Sequence, residues 1–329
     1  MIDLEDKKDF ATGIKSRNIY TPNQNKDFKI SRSKFDDFRK CPRCFYCDVV
    51  KGYVAPGTPG WALNSKTDEL LKKEFDKYRE EEKPHPFFLK NNLENIIPYK
   101  NNNIAKDVDG NVIKHSQTKK PYKVMDAWRT NSKGISIRFK DTNLILYGSV
   151  DDIWMNTKTN ELIVVDYKSQ GSSDEVNPET YFNAEYRLDY QRQLNFYSYL
   201  LNNQQGDLSE IKVSKIAYLY VVNARGLDDG FNNQLIFEPK LVPVPISDDG
   251  IEDNLQKMFD LMNSENIPEP NQKCKNCAYS RRRSDLDLEL NEDNIENFLI
   301  RFAEDKIFLE SASKLLNEKK LLKTDNKNE

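Results

Sequence analysis

An α/β fold, with a central mixed β-sheet flanked by helices, is what the sequence predicts, and three observations predict it. Runs rich in β-branched and aromatic residues come in series at 134–139, 143–155 and 161–168, and again at 213–223 and 233–245. Segments with helical spacing of apolar residues stand between and around them, at 61–83, 179–202 and 250–264. Composition is that of a folded protein: 37% of the 329 residues are hydrophobic and 31% charged, which excludes a disordered or fibrous chain.

The elements follow in order. Residues 1–30 are polar and read as a loose arm, after which Ser31 or Ser33 can cap the short helix SKFDDFRK, which runs into Cys41-Pro42. The turn cluster PGTPG at 56–60 releases a long amphipathic helix whose apolar positions include Leu63, Leu70, Leu71 and Phe75, and Pro84 stops it. From 84 to 133 the chain is rich in Pro, Asn and Lys and reads as a loop-rich insertion with a short helix near Asp126 to Arg129. His85 and His115 fall in it without a second histidine nearby, and read as surface residues. The stretch 285–320 alternates acidic and apolar residues in a helical pattern, and the tail KTDNKNE should fray. No internal repeat is expected.

The hairpin formed by the second and third runs can be placed in register. The polar NTKTN separates Leu144–Met155 from Glu161–Lys168, and even zipping about a turn centred between Lys158 and Thr159 sets Asp151 opposite Asp166. Their Cβ atoms would then lie about 4.5 to 5.5 Å apart. The period of two puts Lys168 on the face of Asp166, while Leu162, Ile163, Val164 and Val165 make both faces of the strand apolar. Asp152 points to the opposite face, as a solvated neighbour or hydrogen-bond partner. Two facing carboxylates at the end of a buried sheet repel unless a cation sits between them, and magnesium or manganese, with oxygen ligands and exchangeable waters, suits the pair. Water activated there, with Lys168 alongside, can attack a phosphodiester.

These residues carry a resemblance. Gly148-Ser-Val-Asp151, Asp166-Tyr-Lys168 and Gln193-Leu-Asn-Phe-Tyr197 resemble, in order, the GxxD, DxK and QxxxY motifs of the PD-(D/E)XK nuclease superfamily in its RecB-like branch. ISRSKFDDFRKCPRCFY also resembles the opening of RecB-like and CRISPR-associated nucleases. The resemblance implies a restriction-endonuclease-like core with helical additions at both ends. It makes Asp151 and Asp166 metal ligands, Lys168 the catalytic lysine, and Gln193 and Tyr197 helix residues flanking the site. The chain then divides into an arm at 1–30, a nuclease domain at 31–283 including the insertion at 84–133, and a C-terminal helical extension at 284–329. The family often adds a His or Glu ligand from the first long helix. Here Asn64 stands four residues after Gly60, and Asp68, one turn further, is the candidate, a solvated helix acid being the other reading. Gln193 and Tyr197 could equally form a half-buried stripe with Tyr190 and Leu194.

Cysteines form a second constellation. Cys41 and Cys44 make one CxxC, and Cys274 and Cys277 another. Four thiolates suit a tetrahedral zinc or an iron-sulfur cluster. The iron-sulfur RecB-like nucleases place a third cysteine downstream, where this chain has Arg281, Arg282 and Arg283, so cluster, zinc and no metal stay open, with Cys44 or Cys47 as substitutes.

The function expected is metal-dependent cleavage of DNA, exonuclease or endonuclease, in repair, recombination or defence. The partner is DNA, single-stranded or a duplex end, with a helicase or recombination protein as a further candidate. The alternative is a nucleic-acid-binding scaffold with a degenerate site. A glycoside hydrolase fits poorly, because Lys168 would depress the pKa that a general acid needs. The net charge of −3 demands local basic patches or metal ions for any DNA contact. No run approaches the roughly 18 apolar residues of a membrane span, and MIDLEDKKDF lacks a signal pattern, so a cytoplasmic location is expected.

Overall fold

Two apolar strands joined by a four-residue polar turn form the centre of the fold. The structure, a computed structural model, describes residues 13–288 apart from 55, 56, 58, 59, 206, 207, 209, 211, 226–229, 231 and 249. The chain divides into two units, Met1–Glu269 and Pro270–Glu329. The first begins with β1 (Phe28–Ser31), α1 (Arg32–Lys40), α2 (Pro42–Val49), α3 (Ala62–Glu81), α4 (Pro86–Lys90), β2 (Ile96–Pro98) and α5 (Val124–Trp128). It continues with β3 (Ile135–Arg138), β4 (Leu144–Gly148), β5 (Asp152–Asn156), β6 (Glu161–Gly171), two single 3₁₀ turns, and α6 (Leu188–Asn202). It closes with β7 (Lys212–Val213), β8 (Ile216–Arg225), β9 (Ile236–Pro245) and α7 (Ile251–Met262). The second unit holds α8 (Lys275–Leu288). The helical reading of 289–320 and the polar residues 1–12 lie outside the described residues.

The sheet is mixed, as expected. Its strands run β2-β5-β6-β8-β9, with β7 also on β6, and a second sheet of three strands runs β1-β4-β3. The hairpin β5–β6 zips in the register that the turn dictates: Asp152 pairs with Val165, Ile153 with Val164 and Asn156 with Glu161. The sequence predicts one long strand over 143–155. It is broken after Gly148, so that β4 joins the small sheet and β5 the large one, and Asp151 sits in the break.

Two further expectations change. Residues 28–30, expected in a loose arm, belong to β1, which pairs in parallel with β4 from Phe28↔Leu144 to Ser31↔Tyr147. The region 84–133 is less irregular than its composition suggests, because β2 pairs with β5 and extends the main sheet. Pro98 is tolerated there because β2 is the edge strand of its sheet.

Alternation along β5 and β6 feeds two cores. Ile153, Leu162 and Val164 pack with Leu194 and Leu200 of α6 and with Leu255 and Met258 of α7. Trp154, Ile163, Val165 and Tyr167 face the other way, against Leu71 and Phe75 of α3 and Phe88 of α4. Each such side chain contributes about 1.5 to 3 kcal/mol of transfer free energy when fully buried. On α3 only Leu71 and Phe75 serve as apolar contacts; Leu63 and Leu70, expected on the same face, stay exposed at 58% and 54%. Four positions of that helix cannot all point inward, because its buried stripe is only as wide as the two-residue ridge meeting the sheet. His85 is not at the surface. It stacks on Phe75 at 4.5 Å, and its Nε2 pairs with Glu74 at 2.9 Å. Burial holds its pKa below the ordinary value despite Glu74. Ser31 caps α1 through a hydrogen bond from Lys34 N at 3.3 Å, as predicted. No helix among the described residues is long and apolar enough to cross a membrane.

Candidate active site

The site grows from the end of the β5–β6 hairpin where two motifs meet. Asp166, on the apolar β6, is 1% exposed, and Gln193 Nε2 of α6 donates to its Oδ1 at 2.6 Å. Asp151, in the break between β4 and β5, is tied to the same strand: Tyr167 N donates to its Oδ2 at 2.8 Å. The two carboxylates interact strongly, and the Asp166 carboxyl is held above the ordinary range by burial, with the Asp151 charge adding to it and Lys168 opposing.

Lys168 forms an ion pair with Asp166 Oδ2. Its Nζ lies 4.7 Å from the centre of the Tyr190 ring, a cation–π contact. Burial alone would favour the neutral amine, but Asp166 and Asp151 outweigh it and hold the pKa above the ordinary lysine value. Lys168 is therefore a cation at neutral pH.

Gln193 and Tyr197 lie one turn apart on α6, and Gln193 Nε2 reaches both Asp166 and Tyr197 Oη, the latter at 3.1 Å. Tyr197 itself is 4% exposed. Its ring explains the glycine of the first motif. A Cβ on Gly148 would fall 2.5 Å from a carbon of the Tyr197 ring, closer than real Cβ atoms come, and 3.5 Å from Arg32 Cβ. The glycine of the first motif and the tyrosine of the third thus share one space.

Asp68 comes to the site from α3. Lys72 Nζ bonds Asp68 Oδ2 at 2.8 Å and stands 3.6 Å from Asp151 Oδ1, so one lysine bridges the two acids. The Asp68 carboxyl is held above the ordinary range by burial and then by Asp151. Its Oδ1 is buried with no hydrogen-bond partner among the described residues. An open cleft lined by Asp68, Lys72, Asp151 and Lys168, with Trp61 and Tyr190 at its walls, gives access. Asp68, Asp151 and the candidate lysine therefore share one cleft, which Asn64 lines as well, while Asp166 is buried and is reached through its pair with Lys168.

Beneath this lies a group that sequence reasoning missed. Asp152 is fully buried, not solvated, and forms an ion pair with Arg79 of α3. It also accepts from Tyr167 Oη at 2.8 Å, from Trp154 Nε1 at 3.2 Å and from Ile153 N at 2.8 Å. Arg79 Nε reaches Asp76 at 3.0 Å, and Arg129 grips both oxygens of Asp76 at 2.6 and 3.2 Å. Both oxygens of Asp152 are met, as a buried charge requires. An acid adjacent to Asp151, with an arginine on the face of α3 that carries Leu71 and Phe75, was the available signal.

The two cysteine pairs share a local design, each within its own unit. Cys41 is the N-cap of α2, its carbonyl accepting from Phe45 N at 3.1 Å, and Cys44 stands in the first turn. Cys274 precedes α8, its carbonyl accepting from Ala278 N at 3.0 Å, and Cys277 stands in the first turn there. Each CxxC therefore places two cysteines at a helix start. Cys47 lies a turn beyond Cys44, and burial raises its pKa. Arg281, Arg282 and Arg283 are exposed on α8.

Comparison with known proteins gives one family. The model of the PD-(D/E)XK nuclease superfamily matches residues 29–282. A solved structure titled "Crystal structure of SSO0001" is similar at 13% identity over 83% of this chain and 89% of that one, with a TM-score of 0.28. No curated protein matches.

Proposed function

The chain belongs to the PD-(D/E)XK nuclease superfamily, and from that premise we propose that it hydrolyses phosphodiester bonds of DNA with magnesium or manganese, in repair, recombination or defence. One observation carries this reading: Asp68, Asp151 and Lys168 line a single cleft, and the buried Asp166 is paired with Lys168. A nucleic-acid scaffold has no use for a buried carboxylate crowded against a second one.

The residues fit the ion. The donor set is all oxygen, the choice of a hard divalent cation. Burial first, and the charge of Asp151 after it, hold the Asp68 and Asp166 carboxyls above the ordinary range, and Asp68 Oδ1 has no hydrogen-bond partner among the described residues, so a cation placed there would find an open oxygen and acids it can hold ionised. Asp68, Asp151 and Asp166 would hold the metal, which when bound lowers the pKa of its water and offsets charge on the phosphate. Gln193 fixes the Asp166 carboxylate, and the Tyr167 amide fixes that of Asp151. Lys168 is too strongly held in its charged form to serve as a base, so it donates: to the attacking water, orienting it, or to a phosphate oxygen as charge builds there. The water oxygen bonds to phosphorus and gives up a proton to solvent, the bond from phosphorus to the leaving oxygen breaks, and that oxygen takes a proton from solvent.

The test is single-turnover cleavage of labelled single-stranded and duplex DNA in magnesium and in manganese, with and without EDTA. Cleavage that EDTA stops is expected. Binding in calcium without cleavage in either metal would move the reading to a scaffold.

The cysteines extend the proposal. Each CxxC supplies half of a tetrahedral thiolate set, and we propose that Cys41, Cys44, Cys274 and Cys277 are ligands of a structural zinc ion or iron-sulfur cluster. Anaerobically purified protein should contain either zinc or iron, the latter with broad visible absorption. Elemental analysis that finds neither removes the idea.

A further inference from the structure

The region expected to be a loop-rich insertion contains a three-fold repeat. Ile104-Ala105-Lys106, Val112-Ile113-Lys114 and Pro121-Tyr122-Lys123 follow one another at near-equal spacing, each an apolar residue, a central residue and a lysine. Three antiparallel bridges join them pairwise: Ile104 with Lys123, Lys106 with Val112 and Lys114 with Pro121. The central residues close a ring of backbone hydrogen bonds, Ala105 N to Tyr122 O, Tyr122 N to Ile113 O and Ile113 N to Ala105 O, each 2.9 Å. The sequence alone predicts no repeat, because three residues per strand are too short to register as periodicity until the strands are folded together.

Alternation then sorts the side chains. Ala105 is buried, and Ile113 and Tyr122 pack against the main core. The six flanking residues turn the other way, and all six are exposed. The outer face thus carries Lys106, Lys114 and Lys123 interleaved with Ile104 and Val112, which are 44% and 43% exposed, and with Pro121. Lys119 and Lys120 stand at the adjoining turn, and no acid occurs between Gly110 and Met125. Of the acids nearby in sequence, Asp107 accepts from the amides of Asp109 and Asn111, Asp109 pairs with Arg138 at 3.0 Å, and Asp126 stands in the first turn of α5.

We propose that this face is a second nucleic-acid contact, its lysines meeting phosphates and its aliphatic residues meeting the sugars between them. Charge complementarity selects the occupant, since a chain of net charge −3 concentrates cations here. Continuity with the cleft supports it. α5 begins immediately after Lys123, four of its five residues are buried, and Arg129 and Asn131 just beyond it line the cleft. Six residues of helical rise amount to about 9 Å, or roughly three phosphates along one strand at ~3.4 Å each. The proposal rests on the nuclease reading and adds a place where substrate is held away from the chemistry.

The test compares the wild type with the variant Lys106→Gln, Lys114→Gln, Lys123→Gln, checked for folding by circular dichroism. Duplex binding is followed by anisotropy in calcium over a range of salt, and single-turnover cleavage is measured at saturating DNA in magnesium. We expect at least about a tenfold loss of affinity and a salt slope shallower by about 2.7, three phosphates at ~0.9 each, with the saturated cleavage rate unchanged. Acetylation of wild-type lysines, read by mass spectrometry, should fall at the same three positions when DNA is added. Unchanged affinity and slope in a variant derived from a cleaving wild type, or undiminished acetylation, overturns this proposal alone. A wild type that neither binds nor cuts overturns it together with the nuclease reading.

Discussion

Asp151 and Asp152 are neighbours of the same chemical type, yet they live in different worlds. Asp151 has a side chain 26% exposed, opens on the cleft and faces Asp166 and Lys72. Asp152 is sealed in the second core with Arg79, Tyr167 and Trp154 around it. One carboxylate is crowded by like charge, and the other is neutralised by a full set of donors. The difference teaches that the period of two in a strand separates the proposed chemistry from its support: Asp151, Asp166 and Lys168 form the proposed reaction centre, while Asp152 and Tyr167, between them in sequence, tie the hairpin to α3.

The sharpest way to break the comparison is Asp152→Ala. It leaves the buried Arg79 with Asp76, which Arg129 also grips, and strips Tyr167 Oη and Trp154 Nε1 of their acceptor, so stability should fall by about 3 to 5 kcal/mol. Chemical denaturation read by fluorescence measures this, and a loss under about 1 kcal/mol contradicts the supporting role. On the other face the expected effects are kinetic. Asp166→Asn should abolish metal-dependent cleavage with the fold intact or stabilised, and Lys168→Ala should lower single-turnover cleavage about 100- to 1000-fold while DNA affinity in calcium changes little. A variant that loses affinity and not rate points to a lysine that only grips phosphate.

Gly148→Ala probes the space shared by two motifs. Forcing a Cβ against the Tyr197 ring should cost about 1 to 3 kcal/mol, and Tyr197→Ala in the same chain should recover part of it. Additive losses in that double-mutant cycle contradict the contact. The smallest effect is expected at Asp68. Without metal, Asp68→Asn relieves repulsion from Asp151, so the melting temperature in EDTA should rise, by the equivalent of up to about 1 kcal/mol. In magnesium the sign should reverse, because the wild type gains a ligand that the variant lacks. A variant less stable in EDTA shows Asp68 to be an ordinary salt-bridging acid.

Much of the site is legible in the sequence because it is written in short range. The hairpin register follows from one polar turn between two apolar runs, and that register is enough to bring Asp151 to Asp166. The spacing of Gln193 and Tyr197 puts them on one helix face. The insertion is less legible: β2 is three residues long, and its partner β5 lies more than fifty residues away in sequence. Asp152 reads as either a solvated neighbour or a hydrogen-bond partner, and the structure makes it the second; alternation tells which face a side chain takes, not what covers that face.

The amino-acid sequence by itself determined the α/β class, the hairpin and its register, the cap of α1, and the convergence of Asp151, Asp166 and Lys168, all of which rest on periodicities and turns that act within a few residues. Gln193 and Tyr197 entered instead through the resemblance of their segment to the third family motif. The tertiary structure alone decided between the two readings of Asp68, by bringing it to the lysine that also reaches Asp151, and decided that Arg79 finds Asp152, that Tyr197 requires the glycine at 148, and that three scattered tripeptides close into one lysine-bearing face. Each of those depends on pairing residues far apart in the chain, and such pairs are chosen by how the apolar faces of distant helices and strands fill a common core.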